Sequence, residues 1–597
     1  MVYNGCGVNV SPEPEVDVDY DYDALGRQTR QSVPHLTTDG WVNRAADWSA
    51  KTATNYDALD RVNTVTAPNG ELTDYQYIKR QTKVMGLDRS GSPNKVLKWT
   101  EVDGLGRLFL ARAGNQAGAE TESVALWYDA LDNLVYVSQP VGTTAMTYDL
   151  AGRKTSMTDP DLGTWTYSYY RNGLLKQQTD ACGNVTTMLY DGVGRVASQT
   201  VQPGGAGPCA TSLSSAAGVT TNYTYDANHS ANLRSRGQLT SVSRNDGTYT
   251  RYIDYNSKGL PAAETVFIAG APQGYTTFYG YDGYDRPSTK TYPDGDVVKT
   301  DYNGMGLAVG ITSTIGTNVA NIVNYASYDA SGRLTQMDYR YGGGIWVNYD
   351  YYPWVGSNGD GNGRLRGVTA GAMPLSNSVL GLYYNYDSFG NPYAHSVYRN
   401  NNATLVDYTT FAYDDQNRLT NANQNVAGYS LSYAWQTGGR IGNFSGNLWE
   451  YDPSHPHALD KNAGADRYDY DRNGNMTTRR KGLPEAQTLK WDGSNRLASV
   501  TVAATQTTPG FSESYLYDET GRLMRKVTNG VATFYPRADY WQTGSFTAKH
   551  YSFAGQAVAE RDGAGMVYYL YHDAVGSTVH VTTQTGNYQA SRGYYAY

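Results

Sequence analysis

The sequence predicts an all-β protein, a ribbon of short antiparallel hairpins too long to stay flat, which coils on itself. Three observations predict it: a residue balance suited to strands and turns, a Tyr-Asp motif that recurs every twenty-odd residues, and aromatic residues alternating with small polar ones ahead of the motif.

A chain of 597 residues exceeds what one compact core supports, so it is several domains or an extended array. Tyr occurs 55 times against 10 Phe, Gly 65 times, and charged residues make up only 17%. Aromatic β-formers punctuated by turn formers suit many short strands. With 13% aromatic residues and a formal charge of -8, the composition is opposite to that of a disordered chain. A pI near 5.6 excludes the clustered cationic surface that phosphates require, so no nucleic-acid partner is expected. The best basic run, Arg479, Arg480 and Lys481, reads as a solvated turn. No window approaches the ~20 apolar residues of a membrane span.

The opening MVYNGCGVNVSPEPEV lacks the basic and apolar regions of a secretory signal. Cys6, Cys182 and Cys209 make no disulfide framework; Cys182 and Cys209 either pair across one loop or stay free.

The motif is spelled YDALGR at Tyr22-Asp23, YDALDR at Tyr56-Asp57, YDALDN at Tyr128-Asp129, YDLAGR at Tyr148-Asp149 and YDGVGR at Tyr190-Asp191. It returns as YDGYDR at Tyr281, YDASGR at Tyr328-Asp329, YDSFGN at Tyr386, YDRNGN at Tyr470 and YDETGR at Tyr517-Asp518, with a degenerate copy at Tyr170. Ahead of it, Trp165, Tyr167 and Tyr169 alternate with Thr166 and Ser168, and Tyr223 and Tyr225 flank Thr224. Period two marks a half-buried strand with its aromatics on one face. Asp23, Asp149, Asp191, Asp329 and Asp518 then open a turn, because Asp bonds its own backbone two residues on. Gly26, Gly152, Gly194, Gly332 and Gly521 supply positive φ. Arg27, Arg153, Arg195, Arg333 and Arg522 are placed to reach the Asp or a neighbouring ring. A polar strand follows, ending in turns such as Asn69-Gly70 or Asp294-Gly295.

One hairpin cannot bury its aromatic face, whereas stacked hairpins set Tyr beside Tyr in a continuous ladder. About 54 strands at ~4.8 Å make a ribbon about 260 Å long, and twisted sheets beyond ~10 strands curl.

These repeats resemble the YD repeats of bacterial RHS proteins, of the C components of insecticidal toxin complexes, of wall-associated toxins and of teneurins. The final segment is similar to the RHS-associated core, with Tyr571, Asp573, Gly576 and Ser577 as its marks. The resemblance implies a sheet spiralling into a hollow shell, or cocoon, with a lead-in at residues 1–20, repeats at 21–535 and a truncated core at 536–597. It further implies a structural, non-enzymatic part of a bacterial secreted or surface toxin system, without cofactor. Its expected partners are a C-terminal toxin cargo and a capping or delivery subunit. In the family an Asp-Pro region beyond the core releases the toxin by autoproteolysis; this sequence stops at Tyr597, so no self-cleavage is expected of it. A wall-associated or teneurin-like adhesion module is the alternative, since tyrosines also suit a glycan or protein surface.

Other spellings invite chemistry. Asn358, Asp360, Asn362 and Gly363, and Asp469, Asp471, Asn473 and Gly474, match the start of a calcium loop, but its twelfth position falls on Thr369 and Arg480, so both read as turns. His455-Pro456-His457 places two imidazoles together in what reads as a Pro-rich loop, without the carboxylates or thiols of a metal site. Glu560-Arg561-Asp562 resembles an acidic protease motif and reads as the run leading to Tyr571. No constellation for catalysis is found, and no catalytic, cofactor or metal residue is expected.

Overall fold

The structure, a computed structural model, describes residues 15–37, 46–86, 95–114, 120–204, 209, 218–227, 235–339, 344–356, 361–372, 378–399, 404–425, 428–505 and 509–591. Among these there are 53 β-strands and no α-helix. Every ladder among the described residues is antiparallel, and beyond the short pair Glu15–Asp17 with His35–Thr37 the ladders join successive strands within each of three sheets. The expected alternation is present: in Gly163–Tyr169, Trp165, Tyr167 and Tyr169 are half-buried while Thr164, Thr166 and Ser168 are exposed. Met157 lies across from Trp165 and Gln178 across from Tyr167, so side-chain pairs hold both flanks.

At the motif the register slips by one residue, between Thr147 and Tyr148 or Ser168 and Tyr169. The cause is the left-handed residue of the turn, which adds a bulge. Gly152 takes it at φ 74°. Where glycine is missing, Asp60, Asp132, Asp285, Asn417 and Asn495 stand there at φ between 58° and 68°, the residue types that tolerate it.

One sheet runs from Tyr20–Tyr22 to Asn318–Val323, a second from Tyr325–Tyr328 to Ala465–Asp466, and a third from Tyr468–Tyr470 to Tyr588–Ser591. Only Asn324 and Arg467 separate them, so the ribbon is continuous. Among the described residues no ladder joins Tyr20–Tyr22 to Asn318–Val323, so the first sheet is a curled strip and not a closed barrel.

The strip coils as a spiral. Successive turns of an antiparallel ribbon fall on alternate edges, so the motif turns share one edge and the intervening turns the other. Residues of the second edge meet the motif edge one coil later: Asn362 Nδ2 donates to Glu71 at 3.4 Å, Arg418 meets Glu122 at 3.4 Å, and His457 meets Asp161 at 2.6 Å. Asn473 Nδ2 donates to Asp180 at 2.8 Å. These pairs lie 291 to 296 residues apart. Towards the C-terminus the interval shrinks to 270 for Tyr249 with Glu519, 255 for Lys549 with Asp294, and 190 for Ala574 with Tyr384. The spiral therefore tightens at that end.

There the wall doubles. Phe534, Tyr540, Tyr551, Phe553, Val567 and Tyr569 pack on Val266, Tyr275, Ile311, Tyr339, Val347 and Leu380, forming the main apolar core. The ladder continues from Val531–Arg537 to Tyr540–Thr543 across a bulge between Phe534 and Arg537. Buried charges cross this seam in pairs: Lys549 Nζ lies 2.6 Å from Asp294 and 2.9 Å from Asp296, and Asp296 also accepts from Ser313 at 2.7 Å and Tyr551 at 2.6 Å. With its oxygens satisfied, the buried carboxylate is tolerated.

Two outcomes follow. Asp296→Ala leaves Lys549, Ser313 and Tyr551 short of their partner and is expected to cost about 3 kcal/mol in urea unfolding, without a change in m-value. Buried His580 lies beside Arg399, and burial first, then that charge, push its pKa from 6.5 down to about 4. The neutral ring therefore contributes stability that is present above pH 6.5 and lost as pH falls towards 4. Denaturation midpoints across that window should fall, and His580→Gln should flatten the fall.

Candidate functional site

The strongest constellation in the chain is a clasp that recurs from repeat to repeat. Asp149 Oδ1 accepts from Ala151 N at 2.9 Å and Arg153 N at 3.0 Å, closing the turn, while Arg153 Nε donates to Oδ2 at 2.7 Å. The Arg153 guanidinium then lies 5.0 Å from the ring of Tyr169 in the next repeat. The Tyr169 hydroxyl closes the loop by donating to the Lys154 carbonyl, next to Arg153, at 2.8 Å. Each arginine thus binds its own aspartate and the following ring, and that ring binds the backbone beside the arginine.

The same geometry joins Arg27 to Tyr56, Arg195 to Tyr225, Arg333 to Tyr351 and Arg496 to Tyr517, with ring distances of 4.2 to 5.2 Å. The hydroxyls donate to Gln28, Val196, Leu334 and Leu497 at 2.9 to 3.0 Å. Tyr148, Tyr190 and Tyr328 donate likewise to Leu134, Leu175 and Ala308. Asp23, Asp191, Asp329 and Asp518 cap their turns as Asp149 does, with Gly26, Gly194, Gly332 and Gly521 at positive φ. Arg522 pairs with Asp518 at 3.0 Å. The ladder of tyrosine beside tyrosine is corrected to one in which arginines interleave the rings, because a guanidinium stacks on a ring face while holding a carboxylate.

Sequence reasoning missed several members. Trp435 and Trp491 occupy the ring position, their indole N–H donating to Leu419 and Met476 at 2.8 Å. An aromatic with a polar donor, rather than tyrosine as such, was the signal to read. In the degenerate copy Tyr169 is the clasping ring, and Tyr170 stands where aspartate does elsewhere, its N–H donating to Leu174 at 2.8 Å. In the last copy Asp573 accepts from Ser577 N at 2.7 Å and Gly576 has φ 87°, but His572, not Tyr571, reaches the carbonyl of Ala557, at 2.6 Å. Tyr571 is buried with its hydroxyl 3.1 Å from Thr582.

The candidate chemical groups fall apart in space. Asp469 faces Lys481 at 2.8 Å, Asp471 caps its own turn through Asn473 N and Asn475 N, and Asn473 crosses to Asp180, so these oxygens do not converge. Gly474 has φ 79°, and Arg480 lies 3.8 Å from Glu485. Asn358 and Asp360 lie outside the described residues; Asn362 and Gly363 form a turn and Thr369 sits on a strand. The segment His455–Asn462 is a strand, not a loop, and its two imidazoles face different carboxylates, Asp452 at 3.1 Å and Asp161 at 2.6 Å. Glu560 pairs with His550 at 3.1 Å, Arg561 donates to Ser313 at 3.1 Å, and Asp562 caps another turn of the repeat type through Ala564 N and Met566 N.

Cys182 and Cys209 form a disulfide, with Cα atoms 5.4 Å apart, and Cys182 N donates to Asn473 Oδ1 in the next coil at 3.0 Å. Cys6 lies outside the described residues. Among the described residues no helix is long and apolar enough to cross a membrane.

The comparisons agree with this geometry. An RHS repeat family model matches residues 128–164. No curated protein matches the sequence significantly. Among solved structures, that of TcdB2-TccC3 superposes with a TM-score of 0.77 at 16% identity, covering 96% of this chain and 32% of the matched one. TcdB2-TccC3 without its hypervariable C-terminal region gives 0.78 at 16%, covering 96% and 32%. The Photorhabdus luminescens Tc holotoxin pore gives 0.76 at 15%, covering 96% and 31%. At such identities the likeness is one of fold, and the chain spans about a third of the length of the chains it matches.

If the clasp holds repeats together, Tyr169→Phe should cost about 1 kcal/mol by stranding the Lys154 carbonyl, and Trp491→Phe should cost a similar amount. Tyr136→Phe, at an exposed ring, should cost nothing measurable; thermal unfolding followed by calorimetry distinguishes them. The arginine hydrogen bond is the leading cause that lowers the pKa of Asp23, Asp57, Asp103 and Asp149 from 3.8. Their contribution to stability is therefore present above pH 3.8 and disappears as pH falls through the lower folded values, giving cooperative acid unfolding below pH 3.8.

Proposed function

From a chain of RHS-type YD repeats with the TcdB2-TccC3 fold, we propose that this protein is the wall of a toxin-encapsulating shell, enclosing a C-terminal toxin and completed by a capping or delivery subunit. The observation that carries the reading is the sealed spiral. Edges nearly 300 residues apart are keyed together by specific side chains, and a second layer closes in as the coil tightens. A wall that only displayed an adhesive surface has no need of a seam, and the rings of the clasp are engaged by arginines and backbone carbonyls within the sheet. The wall acts as a scaffold and not as an enzyme, consistent with the dispersal of its ionisable groups into turn caps and seam pairs.

One coil holds roughly 23 strands, so at ~4.8 Å per strand its circumference is ~110 Å and its mid-wall radius ~18 Å. Removing about half of a ~10 Å side-chain layer leaves ~13 Å, less than the ~17 Å radius of a compact 100-residue domain. The cargo inside this part is therefore short or not compactly folded. Export to an oxidising compartment fits the disulfide, and on this reading the protein works outside the bacterial cell or at its surface.

Limited proteolysis of the full native reading frame tests the proposal. The segment following the wall should resist trypsin in the intact protein and become sensitive when Asp296→Ala opens the seam. Cleavage of that segment at the same rate as when it is produced alone would contradict encapsulation.

A further inference from the structure

Lys549 is the one buried lysine among the described residues, and its side chain is only 3% exposed. The strand Phe546–Phe553 carries it to the turn between Tyr292 and Asp296, in the coil 255 residues before, where two carboxylates meet its Nζ. Asp294 Oδ2 lies at 2.6 Å and Asp296 Oδ2 at 2.9 Å. Asp296 is fully buried, while the side chain of Asp294 is 24% exposed. Buried tyrosines enclose the group: Tyr540 stands directly across the ladder from Lys549, Tyr551 donates to Asp296, and the ring of Tyr292 is 5.2 Å from Nζ.

We propose that Lys549 and Asp294 condense into an intramolecular amide, an isopeptide bond that staples two coils together at the dense end of the wall, with Asp296 as the proton carrier. The inference concerns the wall alone and is independent of what the wall encloses.

Three features assign the roles. First, a contact of 2.6 Å to one carboxyl oxygen leaves the carboxyl carbon about 3.5 Å from Nζ, a near-attack separation held by two folded coils. Second, the two carboxylates are bound differently. Both oxygens of Asp296 accept from hydroxyls, Ser313 at 2.7 Å and Tyr551 at 2.6 Å, which stabilises it as an anion and suits it to act as base. Asp294 is held more loosely: its Oδ1 accepts from the backbone N–H of Asp296 at 3.3 Å, and its Oδ2 faces the ammonium. It is therefore the carboxyl that takes a proton and becomes the electrophile. Third, that proton comes from Nζ itself, which relieves a buried ammonium of its charge and leaves a desolvated amine, a competent nucleophile.

The step balances without oxidant, reductant or cofactor. Nζ attacks Cγ of Asp294 and a C–N bond forms. Asp296 takes a proton from the nitrogen and returns it to the departing hydroxyl, so one C–O bond breaks as water leaves. Asp296 ends as it began, and the new amide N–H faces its Oδ2. The partial exposure of Asp294 gives the water a way out. Lys481 supplies an internal contrast. It too meets two carboxylates, Asp469 at 2.8 Å and Asp466 at 3.0 Å, but with its side chain 43% exposed the ammonium stays hydrated, and no bond is expected there.

Intact mass spectrometry of the purified chain tests this. The mass should fall short of that of the sequence by one water, beyond the two hydrogens lost to the Cys182–Cys209 disulfide. A tryptic digest should contain a branched peptide joining Asp294 to Lys549. Lys549→Met and Asp294→Ala should restore the water, whereas Lys481→Met should not. Asp296→Asn keeps the shape but removes the base, and should lower the linked fraction about tenfold or more. The first reading is taken on the unaltered chain, so it does not depend on whether the variants fold. An unaltered chain of full mass overturns the proposal. So does one short of a water in which no peptide joins the two residues, as a succinimide between Asp294 and Gly295 would give. A linked fraction indifferent to Asp296→Asn overturns the role assigned to Asp296.

Discussion

The constraint on which this structure depends is a hydrogen bond from the far end of an aromatic ring to a backbone carbonyl in the preceding repeat. Tyr169 to Lys154, Tyr225 to Val196 and Tyr517 to Leu497 are three instances, and Trp435 to Leu419 shows that the donor matters rather than the phenol. This explains why tyrosine outnumbers phenylalanine 55 to 10 in a sheet that phenylalanine would otherwise fit. A ring of fixed length, anchored on its own strand and at the previous turn, sets how each hairpin sits on the last. The arginine between them, held by its aspartate, keeps the ring face covered where no thick core exists to do so. Because the link is short-range and identical in kind at every step, curvature accumulates evenly, and even curvature lets distant edges meet in register.

Once the edges meet, the chemistry changes from local to long-range. The first coil is a wall one sheet thick, half-buried on its aromatic face, and its seam with the second coil is polar, with Asn473 reaching Asp180 and His457 reaching Asp161. Near the C-terminus the seam becomes an apolar core threaded by buried ion pairs, Lys549 with Asp294 and Arg251 with Glu519. The gradient runs from a thin, wettable wall at one end to a dense double layer at the other, which gives the shell a weak end and a strong one.

Much of this was legible in the sequence because the clasp is local. The turn-opening Asp, the left-handed Gly and the Arg two-way contact follow from spacing within one repeat, and about 54 strands were expected where 53 are seen among the described residues. Substituted copies were harder. Tyr169 and Tyr170 are both tyrosine, so only the backbone decides which is ring and which is cap, and His572 hides behind the more conspicuous Tyr571. His455 to His457 read as a loop because of Pro456, yet it forms a strand, proline being tolerated because Pro456 lies in a bulge of the ladder, between the pairs Asp452–His455 and Tyr451–Leu459, where no backbone N–H is called for. The seam, and with it the pairing of Asp161 with His457, was invisible: it depends on twist summed over some twenty strands, which no local pattern encodes. The Cys182 and Cys209 pairing was undecidable for the same reason, since the strands and seam around them fix their approach.

The central claim is that a repeated local clasp coils the ribbon until residues nearly 300 positions apart touch. Its most direct test is trapping across the seam, with Asp161→Cys and His457→Cys placed in a Cys6→Ser background, since the native side chains approach to 2.6 Å. The account predicts nearly complete disulfide formation within single chains under mild oxidation, read by intact mass and by a linked peptide containing both positions. Thiols that stay free, or that join only different chains, would contradict it.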